Sequence, residues 1–218
     1  MAKPLLSVST LITEATAFAA SESNHAEPSL YGITDGKAVG TYLEHKFIAV
    51  LSEKYSHEKG SSAKGIDLPD LNVDIKVTSE RQPQSSCPFR SARQKIFGLG
   101  YSLLVFVYQK TDNDATRSST LDIKNTIFIE AQATGDYTMT KRLSEMIKDG
   151  ATEEDIIGYL SDRNLPLDEI EAVNIVKEIL ANPPKQGYLT ISNALQWRLQ
   201  YGHAIKIAGQ VAEILRLR

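Results

Sequence analysis

The sequence predicts an α/β protein, a sheet-based core decorated by helices and followed by a helical C-terminal region. Three observations carry that prediction. "SLLVFVYQK" (102–110) is a near-continuous apolar run, the pattern of a central strand buried on both faces. In "NVDIKV" (72–77) Val73, Ile75 and Val77 alternate with Asn72, Asp74 and Lys76, the period of a strand. "GKAVGTYLEHKFIAVLSEKY" (36–55) gathers Val39, Leu43, Phe47, Val50 and Leu51 on one helical face.

The elements follow in order. Residues 1–21 read as a helix. Lys3 and the small residues near Ala20 mimic a signal peptide, but Glu14 and several Ser and Thr interrupt the apolar stretch and exclude that reading. "SESNHAEPSLYGITDG" is a loop by its Ser, Gly, Pro and Asn, and "SHEKGSSAKG" ends the helix over 36–55. "GIDLPDLNVDIKVTS" (65–79) reads as a hairpin, with Pro69 and Asp70 supplying its turn. A loop with Pro83 and Pro88 precedes a helix from about Ser91 to Gly98. After the apolar strand, "KTDNDATRSS" is a polar loop and "NTIFIEAQ" a further strand. From Thr138 the pattern is helical to the C-terminus, including "TISNALQWRLQYGHAIKIAGQVAEILRLR". Gly150 ends the first of these helices and Pro166 sits near the start of the third.

Composition narrows the classes. With 42% hydrophobic and 23% charged residues the 218-residue chain is globular rather than disordered. Cys87 is the single cysteine, which rules out an internal disulfide and suits a reducing cytoplasm. No run approaches the roughly 18–20 apolar residues of a membrane span. The net charge of −3 is unevenly spread. Residues 81–110 carry five bases and no acid, and residues 185–218 carry five bases against Glu213 alone. Residues 141–180 carry five bases and ten acids. Such segregation provides a basic footprint for nucleic acid, with an acidic segment facing away.

The chemistry concentrates in the hairpin. A turn centred on Asp70 and Leu71 sets Asp67 opposite Asp74, and like charges so placed are destabilising. A divalent cation offsets them: two carboxylates and a backbone carbonyl suit Mg²⁺. Lys76 projects on the side of Asp74, where it is able to orient or deprotonate an attacking water. Asp-x-Lys alone is a weak signal, since the spacing recurs at Glu44–Lys46 and Asp122–Lys124. The copy at Asp122 lacks an acid across a turn. Glu44 lies inside the apolar arc of its helix, where a carboxylate is costly unless paired or metal-bound.

"GKAVGTYLE" (36–44) followed by "GIDLPDLNVDIKVTS" (65–79) resembles the PD-(D/E)xK nucleases, the superfamily of type II restriction endonucleases. The spacing is most similar to that of the methyl-directed mismatch-repair nicking endonuclease and its restriction-enzyme relatives. The resemblance covers about residues 36–108, with Asp74 standing where a Glu is commoner. It implies a restriction-endonuclease-like core, a mixed central β-sheet flanked by helices, over residues 1–140. The helical region 141–218 then belongs to the same compact unit and contributes DNA recognition. It implies metal ligation by Asp67, Asp74 and Glu44, with Lys76 assisting the water. Asp70, the literal acid of "PD", stays as the second choice for the first ligand.

"CPFRSARQKIFGLGYSLLVFVY" (87–108) resembles the helix and strand after the catalytic hairpin, which makes Arg90, Arg93 and Lys95 candidate phosphate contacts. In "YLTISNALQWRLQYGHAIK" (188–206), Asn193, Gln196, Arg198, Tyr201 and Lys206 are candidate DNA contacts, Arg, Asn and Gln being the types that read base edges. His25, His45 and His57 show no zinc-ligand spacing with Cys87, and His203 reads as structural. The expectation is a cytoplasmic, Mg²⁺-dependent, homodimeric endonuclease on double-stranded DNA, with no membrane partner and no organic cofactor. The alternatives are a monomeric nicking or repair nuclease of the same fold, and a non-catalytic DNA-binding module.

Overall fold

The computed structural model describes residues 3–58, 60, 65–87, 90–192 and 197–218, the side chain of Trp197 excepted. The chain groups into two compact units. The first comprises Met1–Ser85, Ser102–Ile129 and Ile205–Arg218. It opens with α1 (Val8–Glu22), whose N-cap Ser7 forms a capping box with Thr10. After β1 (Ala26–Glu27), α2 (Gly36–Lys54) starts at Asp35, which accepts from the Lys37 amide. Leu11, Ala15 and Phe18 of α1 and Val39, Leu43, Phe47 and Leu51 of α2 are buried.

The apolar face of α1 carries two acids. Glu14, which breaks the signal-peptide pattern, is buried and pairs with Lys54 at 2.6 Å and with the Tyr55 hydroxyl at 3.0 Å. Glu22 pairs with Lys46 at 2.8 Å and accepts from the Tyr42 hydroxyl. Both are matched by α2, as buried charges must be.

The sheet of this unit is mixed, in the order β1–β5–β4–β2, with β8 added to β5. β2 (Val73–Ser79) runs parallel to β4 (Ser102–Asn113), from Val73↔Ser102 to Ser79↔Tyr108. β4 pairs antiparallel with β5 (Ser118–Ile129), and β8 (Ile214–Arg216) antiparallel with Ile127–Ile129. This is the mixed sheet flanked by helices that the sequence predicts. Phe18, Phe47 and Phe106, one each from α1, α2 and β4, pack in tilted and edge-to-face pairs with ring centroids 5.0–5.8 Å apart.

Three local expectations change. The hairpin at 65–79 shrinks to a single bridge, Leu68↔Val73, closing on one 3₁₀ turn at Pro69–Leu71. The long partner of β2 is β4. The polar "loop" 110–119 is mostly strand, with only Asp114–Arg117 turning. Its pairs, from Lys110↔Leu121 to Asn113↔Ser118, extend the ladder toward solvent, where no apolar alternation marks them.

The third change concerns the C-terminus, where 190–218 is not one helix. Thr190–Ile191 (β6) and Trp197–Gln200 (β7) pair antiparallel, with Ile191 opposite Leu199. A short α7 (Gly202–Ile207) precedes β8. Ile191 and Leu199 are eight residues apart, a separation that fits period 2 as well as period 3.6. Their backbone pairing decides for strands.

The second unit comprises Ser86–Tyr101 and Glu130–Ala204. Its helices are α3 (Arg93–Phe97), α4 (Tyr137–Lys148), α5 (Glu153–Asp162) and α6 (Glu169–Ala181). Asp136, Thr152 and Asp168 cap the last three, and Pro166 lies just outside α6. Ile96, Leu143, Ile156, Val176 and Ile179 form its core. β3 (Gln84–Cys87) completes a three-stranded sheet in the order β3–β7–β6.

Because Phe47 joins both helices to the sheet, Phe47→Ala is expected to destabilise the protein by about 3–5 kcal/mol in urea unfolding. A loss well under 1 kcal/mol would show that the aromatic trio is not the packing centre.

Candidate active site

The bridge between Leu68 and Val73 sets the register of the site. Leu68 and Val73 exchange both backbone hydrogen bonds, at 3.0 and 3.2 Å, while Asn72 closes the turn with φ 54°. That register places Asp67 opposite Asp74, as the sequence predicts. The Asp67 carboxylate accepts from the Ile75 amide at 2.8 Å and hydrogen-bonds the Asp74 carboxyl.

Asp74 is 4% exposed, so β2 is buried on both sides at this point rather than on one. Burial raises its pKa. The Lys76 ammonium, 2.7 Å away, only partly reverses this, and the Asp67 carboxyl adds to the rise. For Lys76, burial alone would pull the ammonium down. Asp74, Asp67 and Glu44 outweigh it and leave the Lys76 pKa raised.

Glu44 reaches the same group from α2. Gly40, one turn earlier, packs its backbone over Val77, where an added Cβ would lie 3.9 Å from the Val77 Cβ. The helix thereby lies close over β2. Burial, then the charge of Asp67, pushes the Glu44 carboxyl up to about 7, with Lys76 opposing and Asp74 adding. The structure therefore brings all four predicted residues together.

Asp70 plays another part. It is exposed, and its carboxylate accepts from the Glu58 amide at 2.6 Å. Geometry thus favours Asp67 over the literal "PD" acid. The copy at Asp122 is a half-exposed ion pair with Lys124 at 2.5 Å and Arg218 at 3.7 Å.

The donor set suits a hard divalent cation. Among the described residues no three His, Cys, Asp or Glu side chains are grouped to hold an ion unaided. Asp74 and Glu44, both with raised pKa and with Asp67 beside them, are instead short of positive charge. That fits Mg²⁺, which uses one or two carboxylates and keeps waters or substrate phosphate for its other positions.

The model of one family, described as type II restriction enzyme NspV, matches residues 5–216. The chain belongs to the NspV family of type II restriction enzymes. The type II restriction enzyme NspV of Nostoc sp. (strain ATCC 29411 / PCC 7524) is 60% identical over 211 residues, covering 97% of this chain and 96% of that protein. No solved structure matches the chain.

The predicted DNA contacts fare unevenly within this NspV-family chain. Arg90, Arg198 and Lys206 are exposed. Arg93 forms a two-pronged pair with Glu178 and covers the Phe97 ring. Lys95 is 7% exposed and donates to the Ile191 carbonyl at 2.7 Å, and burial lowers its pKa. Tyr201 is fully buried. Lys95 and Tyr201 are therefore committed to the interior, Lys95 on the buried side of α3 and Tyr201 at the junction of β7 and α7. Asn193 and Gln196 lie outside the described residues. Sequence reasoning missed the Ile75 amide and Gly60, which donates to the Asp67 carbonyl. Neither carries a side-chain signal.

Glu44 binds its proton more tightly when folded, since about 7 exceeds the ordinary value near 4.5. Metal-free stability is thus highest below pH 4.5 as far as this group is concerned, and falls as pH rises toward 7. Glu44→Gln should remove that fall. In EDTA at pH 7.5 the variant is expected to melt roughly 4–8 °C above the parent, from about 2 kcal/mol relieved. At pH 4.5 the two should coincide. Equal melting at both pH values would show that Glu44 is not desolvated.

Proposed function

We propose that the chain is a Mg²⁺-dependent type II restriction endonuclease of the PD-(D/E)xK superfamily, hydrolysing double-stranded DNA at a short specific sequence. The observation that carries this is the convergence of Asp67, Asp74, Lys76 and Glu44 on one half-buried spot, in a chain of a restriction-enzyme family. Asp67 and Asp74 hold the cation, with Glu44 as the third acid. When bound, the cation supplies charge stabilisation at the scissile phosphate and a more acidic water.

The protein's own groups do the rest. The Ile75 amide fixes the Asp67 carboxylate. Lys76, protonated while three acids face it, donates to the attacking water and orients it toward phosphorus. The half-buried setting restricts bulk water and strengthens each charge interaction. Catalysis is assigned to residues 1–140, and recognition draws on 141–218, where exposed Arg198 on β7 is a base-edge candidate and Lys206 a phosphate contact. Arg90 is a further candidate. One such site cuts one strand, so double-strand cleavage at a two-fold target calls for a homodimer. A cytoplasmic location agrees with Cys87 being the single cysteine.

The test is digestion of a DNA of known sequence with Mg²⁺ or EDTA, followed by sequencing of the ends. The expected result is discrete, Mg²⁺-dependent fragments. Asp74→Ala and Lys76→Ala should each lose cleavage while binding cognate duplex in Ca²⁺. Asp67→Asn should be inactive and Asp70→Asn active. Uncut DNA with parent protein, or active Asp74→Ala protein, would contradict the assignment.

Recognition has its own outcome. Arg198→Ala should lower the ratio of cognate to scrambled binding by about 1–3 kcal/mol. Lys206→Ala should weaken both alike and reduce the salt slope by about one. An unchanged ratio in Arg198→Ala would place base reading elsewhere.

A further inference from the structure

Asp67 lies just before the 3₁₀ turn, and Glu44 lies on α2. After α2 ends at Lys54, Ser56 pairs with the N-terminal segment, donating to Pro4 and accepting from Leu6. His57 is held back to the helix, its Nε2 lying 3.1 Å from the Ser52 hydroxyl. Glu58 and Gly60 then hold the segment from Asp67 to Asp70 at two points. The Glu58 amide donates to the Asp70 carboxylate at 2.6 Å, and the Gly60 amide donates to the Asp67 carbonyl at 3.0 Å.

The second contact leaves no room for a side chain. A Cβ on Gly60 would fall against the Ile66 carbonyl oxygen, 2.7 Å from the Asp67 carbonyl oxygen and 2.8 Å from the Asp67 Cα. Real Cβ atoms do not approach backbone that closely, so any larger residue must push Asp67 away from Asp74 or withdraw the segment. Only glycine permits this approach.

We propose that Gly60 and Asp70 are positioning residues, a strap that sets where Asp67 stands against Asp74 and hence how tightly the site takes a divalent cation. The proposal rests on the reading of Asp67 as a metal ligand. Asp67 is gripped from two directions. The Ile75 amide of β2 holds its carboxylate, and Gly60 holds its carbonyl. Asp70 works through the Glu58 amide, which donates to its carboxylate. Removal of groups that orient a metal ligand typically weakens metal binding about 10–100-fold.

The experiment uses the full chain without DNA and without turnover. Mn²⁺ binding is followed by the electron paramagnetic resonance of the free ion, with melting in EDTA as the measure of folding. Gly60→Ala and Asp70→Ala are expected to bind Mn²⁺ about ten-fold more weakly than the parent. The Mg²⁺ concentration for half-maximal cleavage should rise by the same factor, with the rate at saturating Mg²⁺ largely kept. Asp70→Asn retains an acceptor for the Glu58 amide and should bind close to the parent. Should Gly60→Ala fail to fold, the contrast between Asp70→Ala and exposed Asp70→Asn decides. Folded strap variants that bind Mn²⁺ like the parent, beside a deficient Asp67→Asn, would overturn the strap alone. An Asp67→Asn protein with parental Mn²⁺ affinity would overturn both the strap and the ligand reading beneath it.

Discussion

Three carboxyls and one ammonium are held together mostly out of water, and the geometry of the first unit follows from accommodating them. Their mutual repulsion and their desolvation oppose folding. The fold answers by confining them between its most rigid parts. Asp74 and Lys76 sit on β2, which is ladder-bonded to the fully buried run of β4. Glu44 sits on a helix whose neighbouring turns place Leu43 and Phe47 in the core. Asp67 is bound to β2 through an amide of that strand.

The position of β2 explains why a turn residue completes the site. β2 ends the order β1–β5–β4–β2, so its amides on the side away from β4 lack a ladder partner. Such an edge needs covering. Leu68 covers it at Val73 and Asp67 covers it at Ile75. One short turn therefore closes the sheet edge and supplies a carboxylate in the same step. Stability and charge placement are in tension here, since Glu44 is more favourable protonated in the metal-free protein. Sites built for catalysis commonly cost stability in this way.

Legibility in the sequence tracks how local each signal is. The register of Asp67 against Asp74 is readable because a two-sided turn of Pro, Asp and Asn permits few pairings. Glu44 is readable because a carboxylate among Leu43, Phe47 and Leu51 violates helical patterning. The strands Thr111–Asn113 and Ser118–Thr120 are not readable, since exposed polar residues on one and buried serines on the other carry no apolar period. Neither are β6, β7 and β8. They are two to four residues long, too short to show a period; β6 and β7 pair with each other, and β8 owes its form to a distant partner, as Ile214 does to Ile129. Lys95 and Tyr201 show the same limit: a basic or aromatic residue near a glycine gives no sign of which side it faces.

The central claim, that this charge group awaits a divalent cation, is tested most directly by counting protons. A cation entering a site whose acids have raised pKa values displaces the protons they hold. Calorimetric titration with Mn²⁺ in buffers of different ionisation enthalpy reads that number. The account expects release of roughly one proton per bound ion near pH 6.5, shrinking toward zero well above the Glu44 pKa of about 7. Saturable binding with no proton released at pH 6.5, or no saturable binding at all, would contradict it.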